Sequence, residues 1–220
     1  MRDIKAKWIA ADWGTTHMRA WAIDKKGEVL AYSESNEGMK DLQQNEFEPV
    51  LLRLIENWLD NKKITPIMAC GMVGARQGWV ETPYLKTPCV PIDKTQLTVA
   101  STKDPRIQVN LVPGVMQHKP ADIMRGEETQ IAGFIKENPS FDGIVCLPGT
   151  HTKWVNVRAG QIEKFRTFMT GELFGVISNN TLIKHSIESE GWDQVSFDSG
   201  VIKGFDNPGL IASDLFSLRS

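Results

Sequence analysis

An α/β fold built from two similar lobes with a cleft between them is predicted by three features of the sequence. The first is a segment that occurs twice: Asp12-Trp13-Gly14-Thr15-Thr16-His17-Met18-Arg19-Ala20-Trp21 near the start, and Pro148-Gly149-Thr150-His151-Thr152-Lys153-Trp154 in the second half. Each copy follows a short apolar run, Trp8 to Ala11 or Ile144 to Leu147, turns at Gly-Thr, and enters a second apolar stretch through a cation and a tryptophan. That is a strand, a tight turn and a strand, made twice. The second feature is the order of elements: meander, helix, strand, helix, then meander and helix again, a sheet-and-helix plan used in duplicate. The third is composition, since 220 residues with 41% apolar and 24% charged content suit one or two domains with a sizeable core.

Three strands open the chain: Trp8–Asp12, Met18–Asp24 and Val29–Ser33, with Lys25-Lys26-Gly27-Glu28 turning between the last two. Phe47, Val50, Leu51, Leu54, Ile55, Trp58 and Leu59 then recur at helical spacing, with Pro49 in the first turn, where a missing N–H costs little. Thr65–Gly71 reads as a buried strand, and the glycine-rich Gly71-Met72-Val73-Gly74-Ala75-Arg76-Gln77-Gly78-Trp79 as a functional loop at its end. The stretch from Lys86 to Arg106 is irregular and proline-punctuated, and Ile107–Val112 gives another strand. A helix begins near Gly126, carries Ile131, Ala132, Phe134 and Ile135, and ends before Pro139. The second hairpin starts at Ile144 with Gln161–Arg166 as its third strand, and Leu173–Ile183 and Ser199–Leu218 are helical. The lobe boundary is expected between residues 141 and 142, giving lobes 1–141 and 142–220.

A net charge of −2 with no long basic run gives no footprint for nucleic acid or an anionic membrane. No apolar run approaches the length of a signal peptide or a membrane span, so a cytoplasmic protein is expected. Cys70, Cys89 and Cys146 are odd in number and widely spaced, which fits neither a disulfide framework nor a zinc site. Cys70 and Cys146 are expected as buried thiols. Oligomeric state is not legible.

The turns point to anion chemistry. Glycine lets a backbone approach an anion closely, while threonine hydroxyls and turn N–H groups donate to phosphate oxygens. Ordinary turn preference explains a single Gly-Thr-Thr, but two copies with a cation at similar distance are not explained that way. Two such hairpins facing one another would grip a polyphosphate.

Ile9-Ala10-Ala11-Asp12-Trp13-Gly14-Thr15-Thr16 with Arg19 resembles the first phosphate motif of the actin-like sugar kinases, and Leu147-Pro148-Gly149-Thr150-His151-Thr152-Lys153-Trp154 their second. Together with Gly71-Met72-Val73-Gly74, Gly78-Trp79, Pro83-Tyr84-Leu85, Met124-Arg125-Gly126-Glu127-Glu128-Thr129-Gln130 and Phe165-Arg166-Thr167-Phe168-Met169-Thr170-Gly171-Glu172, the sequence is similar to the 2-dehydro-3-deoxygalactonokinase family. The resemblance implies a duplicated ribonuclease H-like, actin-like ATPase fold and ATP-dependent phosphorylation of the 6-hydroxyl of 2-dehydro-3-deoxy-D-galactonate, with Mg²⁺. Its partners would be a small sugar acid and ATP. Family members continue through a further stretch that carries a glycine-rich adenosine motif, so the second lobe is expected to be incomplete here. A related actin-fold kinase of another sugar acid or polyol, and a non-catalytic nucleotide-dependent switch, are the competing readings.

Phosphoryl transfer asks a protein to position reactants and neutralise charge. Asp12, at a strand end, is the candidate Mg²⁺ ligand or else an Asx-turn residue. Gly14, Thr15, Thr16 and Arg19, and in the second hairpin Gly149, Thr150, His151 and Lys153, are candidates for phosphate contacts. His151 reads equally as a hydrogen-bonded structural residue, and Lys153 as a solvated strand residue. Glu127 matches the position of the family's catalytic base, with Glu128 in reserve, although two glutamates in a helix's first turn also stabilise the helix dipole. For the acceptor, Arg76 is the candidate carboxylate partner or a surface arginine, with Arg166 as a second candidate. Gln77, Trp79 and Tyr84 are candidate pocket residues, tryptophan being more often core than ligand contact.

Overall fold

The computed structural model describes residues 4–187 and 191–218. The chain divides into two compact units, residues 1–147 with 153–167 and residues 148–152 with 168–220.

In the first unit, β1 (Trp8–Trp13), β2 (Met18–Ile23) and β3 (Val29–Ser35) form the expected antiparallel meander. Burial alternates along β1: Ile9, Ala11 and Trp13 point into the core, and Trp8, Ala10 and Asp12 lie on the other face, as the two-residue period of a strand requires. α1 (Phe47–Ile55) covers the inward face with Phe47, Val50, Leu51 and Ile55, and a 3₁₀ turn over Glu56–Trp58 carries its apolar stripe onward to Trp58. β4 (Thr65–Gly71) then runs parallel to β1.

The proline-punctuated region holds more strand than its sequence suggests. β5 (Tyr84–Lys86), β6 (Thr98–Val99), β7 (Ile107–Leu111), β8 (Gly114–His118) and β9 (Ala121–Met124) follow in turn. β7 pairs in parallel with β4 and β6 flanks it, completing a sheet of order β3-β2-β1-β4-β7-β6. An antiparallel meander feeding parallel strands in this order is the ribonuclease H-like sheet that the actin-like resemblance implies. β5, β8 and β9 make a separate small sheet.

α2 (Glu127–Glu137) follows, and β10 (Gly143–Leu147), β11 (His151–Arg158) and β12 (Gln161–Met169) repeat the opening meander. Val115, Met124, Ile131, Val155, Val157, Ile162 and Phe165 form a second core cluster that ties this meander to β8, β9 and α2. Cys146, expected to be buried, is exposed: it shares the outer face of β10 with Ile144, while the core takes the other face.

The second unit carries the 148–152 turn and the helices α3 (Gly171–Asn180), α4 (Gln194–Asp206) and α5 (Ile211–Ser217). α4 begins earlier than the apolar spacing predicts, because the Asp193 carboxylate accepts the N–H groups of Val195 and Ser196 and caps it. None of the three helices buries a side chain, and Phe174 and Phe205 are 70% and 84% exposed. No helix among the described residues is long and apolar enough to cross a membrane.

Candidate active site

Three chain segments of the first unit meet where β1 ends. Asp12 pairs across the sheet with Arg19 and alongside Cys70, and Trp13 lies alongside Gly71. Gly71 turns with φ +91°, and a Cβ there would sit 2.7 Å from the Trp13 carbonyl oxygen and 3.3 Å from Asp12 Oδ1. Gly126, at φ +110°, brings the β9–α2 turn onto Gly71, with 3.3 Å between a Cβ on Gly126 and the Gly71 Cα. Both positive φ values suit glycine alone without strain. The result is a close-packed junction with Asp12 on one side and the first residues of α2 on the other. A mostly apolar cavity of about 360 Å³ borders it, lined by Trp8, Ala10, Trp21 and Met68 and by Asp12, Cys70, Gly126, Thr129 and Gln130.

Asp12 is partly exposed and its Oδ2 takes Arg19 Nη2 at 2.5 Å. Beyond this pair the Gly14 N–H donates to the His17 carbonyl at 2.8 Å, closing the turn, and leaves Thr15 and Thr16 exposed at its tip. Thr16 Oγ1 lies 2.7 Å from His17 Nδ1. No group of three or more His, Cys, Asp or Glu side chains that could hold a metal occurs among the described residues. A single strand-end carboxylate still fits Mg²⁺, which keeps several waters and is completed by substrate phosphates rather than by a protein cage.

The two glutamates that open α2 have separated roles. Glu128 is fully buried, and its carboxylate accepts the Gly126 N–H at 2.7 Å and the Thr129 hydroxyl at 3.1 Å. Burial pushes its pKa up to about 7, and burial together with the Asp12 and Glu128 charges pushes the neighbouring Cys70 thiol up to about 12. Glu128 therefore anchors the turn. Glu127 keeps 25% of its side chain exposed. Its Oε2 accepts the Arg125 N–H at 3.0 Å, and its Oε1 lies 3.9 Å from Lys153 Nζ.

Lys153 is not the solvated strand residue that was one of its two readings. Its ammonium is buried, donating to the Ile123 carbonyl and to Thr167 Oγ1, both at 2.8 Å, while Thr167 in turn donates to Asp122 at 2.7 Å through both its N–H and its hydroxyl. All three protein oxygens around it, counting Glu127, belong to the first unit, so the cation supports the base candidate rather than the hairpin tip.

In the second unit the Gly149-Thr150 turn is braced from behind. Gly171 and Glu172 donate their N–H groups to the Gly149 and Thr150 carbonyls, Thr152 and Thr170 share a hydroxyl contact of 2.5 Å, and His151 Nε2 meets Glu172 Oε2 at 2.5 Å. His151 thus has the hydrogen-bonded structural role that was one of its two readings.

Among the acceptor candidates, Arg76 and Gln77 are exposed on the glycine-rich loop, and Arg166 is exposed on β12, bordering a shallow recess with Lys164 and Trp154. Trp79 belongs to the core cluster: its ring stacks on Phe47 at 6.0 Å and meets Trp13 edge-on at 6.4 Å. Tyr84 is partly buried under the guanidinium of Arg125, whose Cζ lies 4.3 Å from the ring centroid. Sequence reasoning passed over Arg125, although its place immediately before Gly126 and Glu127 was the available signal.

Known proteins carry the same pattern. Residues 12–220 match the family model described as 2-keto-3-deoxy-galactonokinase. The chain is 36% identical over 220 residues to the "Probable 2-dehydro-3-deoxygalactonokinase DgoK1" of Rhizobium meliloti, covering 97% of this chain and 71% of the relative. It is 34% identical over 218 residues to the 2-dehydro-3-deoxygalactonokinase of Escherichia coli, covering 98% and 71%. Its fold matches, with a TM-score of 0.86 and 36% identity, a crystal structure of a Sinorhizobium meliloti protein assigned as a 2-dehydro-3-deoxygalactonokinase, over 96% of this chain and 70% of that one. With the family match running through both hairpins and the α2 turn, this chain belongs to the 2-keto-3-deoxy-galactonokinase family.

Proposed function

We propose that the chain acts as an ATP-dependent kinase that phosphorylates the 6-hydroxyl of 2-dehydro-3-deoxy-D-galactonate in the cytoplasm, with lobes 1–141 and 142–220 each contributing one phosphate hairpin. The observation that carries this reading is the junction of Asp12, Gly71 and the Gly126-Glu127 turn, which puts a charge-bearing strand end and a partly open carboxylate on one packed scaffold.

Glu127 is the proposed base. With one oxygen on the Arg125 N–H and the other beside Lys153, its carboxylate is held in place and stays reachable, so it takes the acceptor hydroxyl's proton as that oxygen bonds to the γ-phosphorus and the bond to the β-phosphate oxygen breaks. Thr15, Thr16 and the Gly14 turn supply hydroxyl and backbone donors to phosphate oxygens, and Arg19 adds positive charge beside Asp12. The Gly149-Thr150 turn of the second unit offers donors of the same kind. Asp12 would hold Mg²⁺, whose charge would stabilise the transferring phosphoryl group.

An ATP-consumption assay with and without 2-dehydro-3-deoxy-D-galactonate tests the reaction directly. Glu127→Gln is expected to lower kcat by about 10²–10⁴ while ATP affinity, read by titration, stays near that of the parent. Parental turnover in that variant would remove Glu127 from the mechanism.

A further inference from the structure

Among the described residues, the arginines of the first unit fall into two groups with one exception. Arg19, Arg53, Arg106 and Arg158 each have a carboxylate within 4 Å, and Arg76 and Arg166 are exposed to water. Arg125 belongs to neither group, being partly buried with no carboxylate partner among the described residues. Its Nη1 donates to Thr82 Oγ1 and its Nη2 to the Thr82 carbonyl at 3.2 Å, while Nε is buried without any hydrogen-bond partner. Of five N–H donors, then, two are used. A charge withdrawn from water and left without a counter-charge is costly, so a built arrangement of this kind calls for an anion that comes from outside the chain.

The surroundings are shaped for that guanidinium. A Cβ on Gly74 would sit 2.9 Å from Arg125 Nη1 and 2.8 Å from Thr82 Oγ1, so the fork as placed there occupies space that a larger residue would contest. A Cβ on Gly114 would sit 2.7 Å from the Tyr84 ring, the surface on which the guanidinium rests. The ring and Thr82 fix the plane of the fork, which suits the paired oxygens of a carboxylate. The backbone N–H of the same residue holds the Glu127 carboxylate, so one turn presents a fixed cation and a fixed base.

We propose that Arg125, positioned by Thr82 and Tyr84, receives the carboxylate of the acceptor, while Glu127 addresses its hydroxyl. The acceptor class is a short acid carrying both groups on one carbon chain, and specificity for acids over neutral polyols resides in Arg125 rather than in Arg76 or Arg166. This assignment rests on the sugar-acid kinase reading.

The test titrates the whole chain, without ATP, with 2-dehydro-3-deoxy-D-galactonate and with its carboxamide. The parent protein is expected to bind the acid at least about tenfold more tightly, since a charge-assisted bond contributes roughly 1.5–3 kcal/mol. Arg125→Gln should abolish that preference and leave carboxamide binding unchanged, and Arg125→Lys should restore part of it. Arg76→Gln should keep the preference in full. Equal affinity of the parent for acid and amide overturns the proposal without any variant, as does a preference that survives Arg125→Gln. ATP consumption separates the two layers: turnover with no dependence on Arg125 overturns this assignment and keeps the kinase, whereas Arg125-dependent acid binding without turnover keeps the assignment and overturns the kinase.

Discussion

At the first hairpin, Met39 and Lys40 donate their N–H groups to the Gly14 and Thr15 carbonyls at 3.0 and 3.1 Å; at the second, Gly171 and Glu172 donate theirs to Gly149 and Thr150 at 3.2 and 3.0 Å. The duplication evident in the Gly-Thr turns thus extends to the segment that braces each turn from the end of the third strand. What the two copies do not share is charge. Asp12 faces Arg19 across the first hairpin, but Leu147 faces Lys153 across the second. Arg19 stays 50% exposed beside its acid, while Lys153, whose nearest acid is Glu127 of α2 rather than a residue across the hairpin, is 7% exposed and engaged with β9, α2 and β12. A phosphate-sized turn is a backbone property and survives duplication; the acid and the cation beneath it are side-chain choices and have diverged.

The largest effect is expected from erasing that difference. Asp12→Leu gives the first hairpin the apolar residue of the second, and Asp12→Asn keeps its shape without the charge. Both should lower kcat/KM on the order of 10³-fold, because metal-assisted charge stabilisation is worth several kcal/mol in the transition state. Raising Mg²⁺ should recover activity in Asp12→Asn more than in Asp12→Leu. Activity within about threefold of the parent for both would mean that the first hairpin needs its acid no more than the second does.

The two cations make a sharper pair. Lys153→Met leaves the Ile123 carbonyl without its donor and Glu127 without its nearest cation, and should cost about 3 kcal/mol, the low end for a broken buried pair because Glu127 retains access to water. Arg19→Met breaks an exposed pair, which is worth less than about 1 kcal/mol. Urea denaturation of both variants measures the contrast, and equal losses would remove the distinction drawn between the two hairpins.

Much of this was legible from pattern. The apolar run from Trp8 to Ala11 ahead of the Gly-Thr turn marked β1, and the spacing of Phe47, Val50, Leu51 and Ile55 marked α1, because each signal lies within one element. The β5-β8-β9 sheet was not legible: its strands are three to five residues long, and β5 pairs in parallel with β8 from across a long stretch of chain. The site divides the same way. Asp12 and Glu127 stand out by their places beside glycines at a strand end and a helix start. Lys153 does not, since its burial is decided by Ile123 and Thr167, residues of other strands, and the core packing of Trp79 is likewise decided by distant neighbours, Trp13 and Phe47. The apolar faces of α3 to α5 were read correctly as helical, but amphipathic spacing specifies a face to be covered and not what covers it.

The braces offer the last contrast, and they test whether the two hairpins are held alike. Gly38 has ordinary backbone angles, φ −80° and ψ 173°, so it is glycine for space alone. A Cβ there would lie 2.3 Å from the Thr15 carbonyl oxygen and from Thr16 backbone atoms, and at Gly171 it would lie 2.9 Å from the Gly149 carbonyl oxygen. In both cases the obstacle is backbone, which cannot swing aside as a side chain can. Gly38→Ala should therefore cost about 2–3 kcal/mol and Gly171→Ala about 1 kcal/mol, within the usual range for overpacking. Each shift displaces the turn itself, so triphosphate affinity should fall in the same order, read by calorimetric titration beside urea denaturation. A Gly38→Ala protein with parental stability and parental triphosphate affinity would show that the brace does not set the shape of the first turn, and that its likeness to the second is one of sequence only.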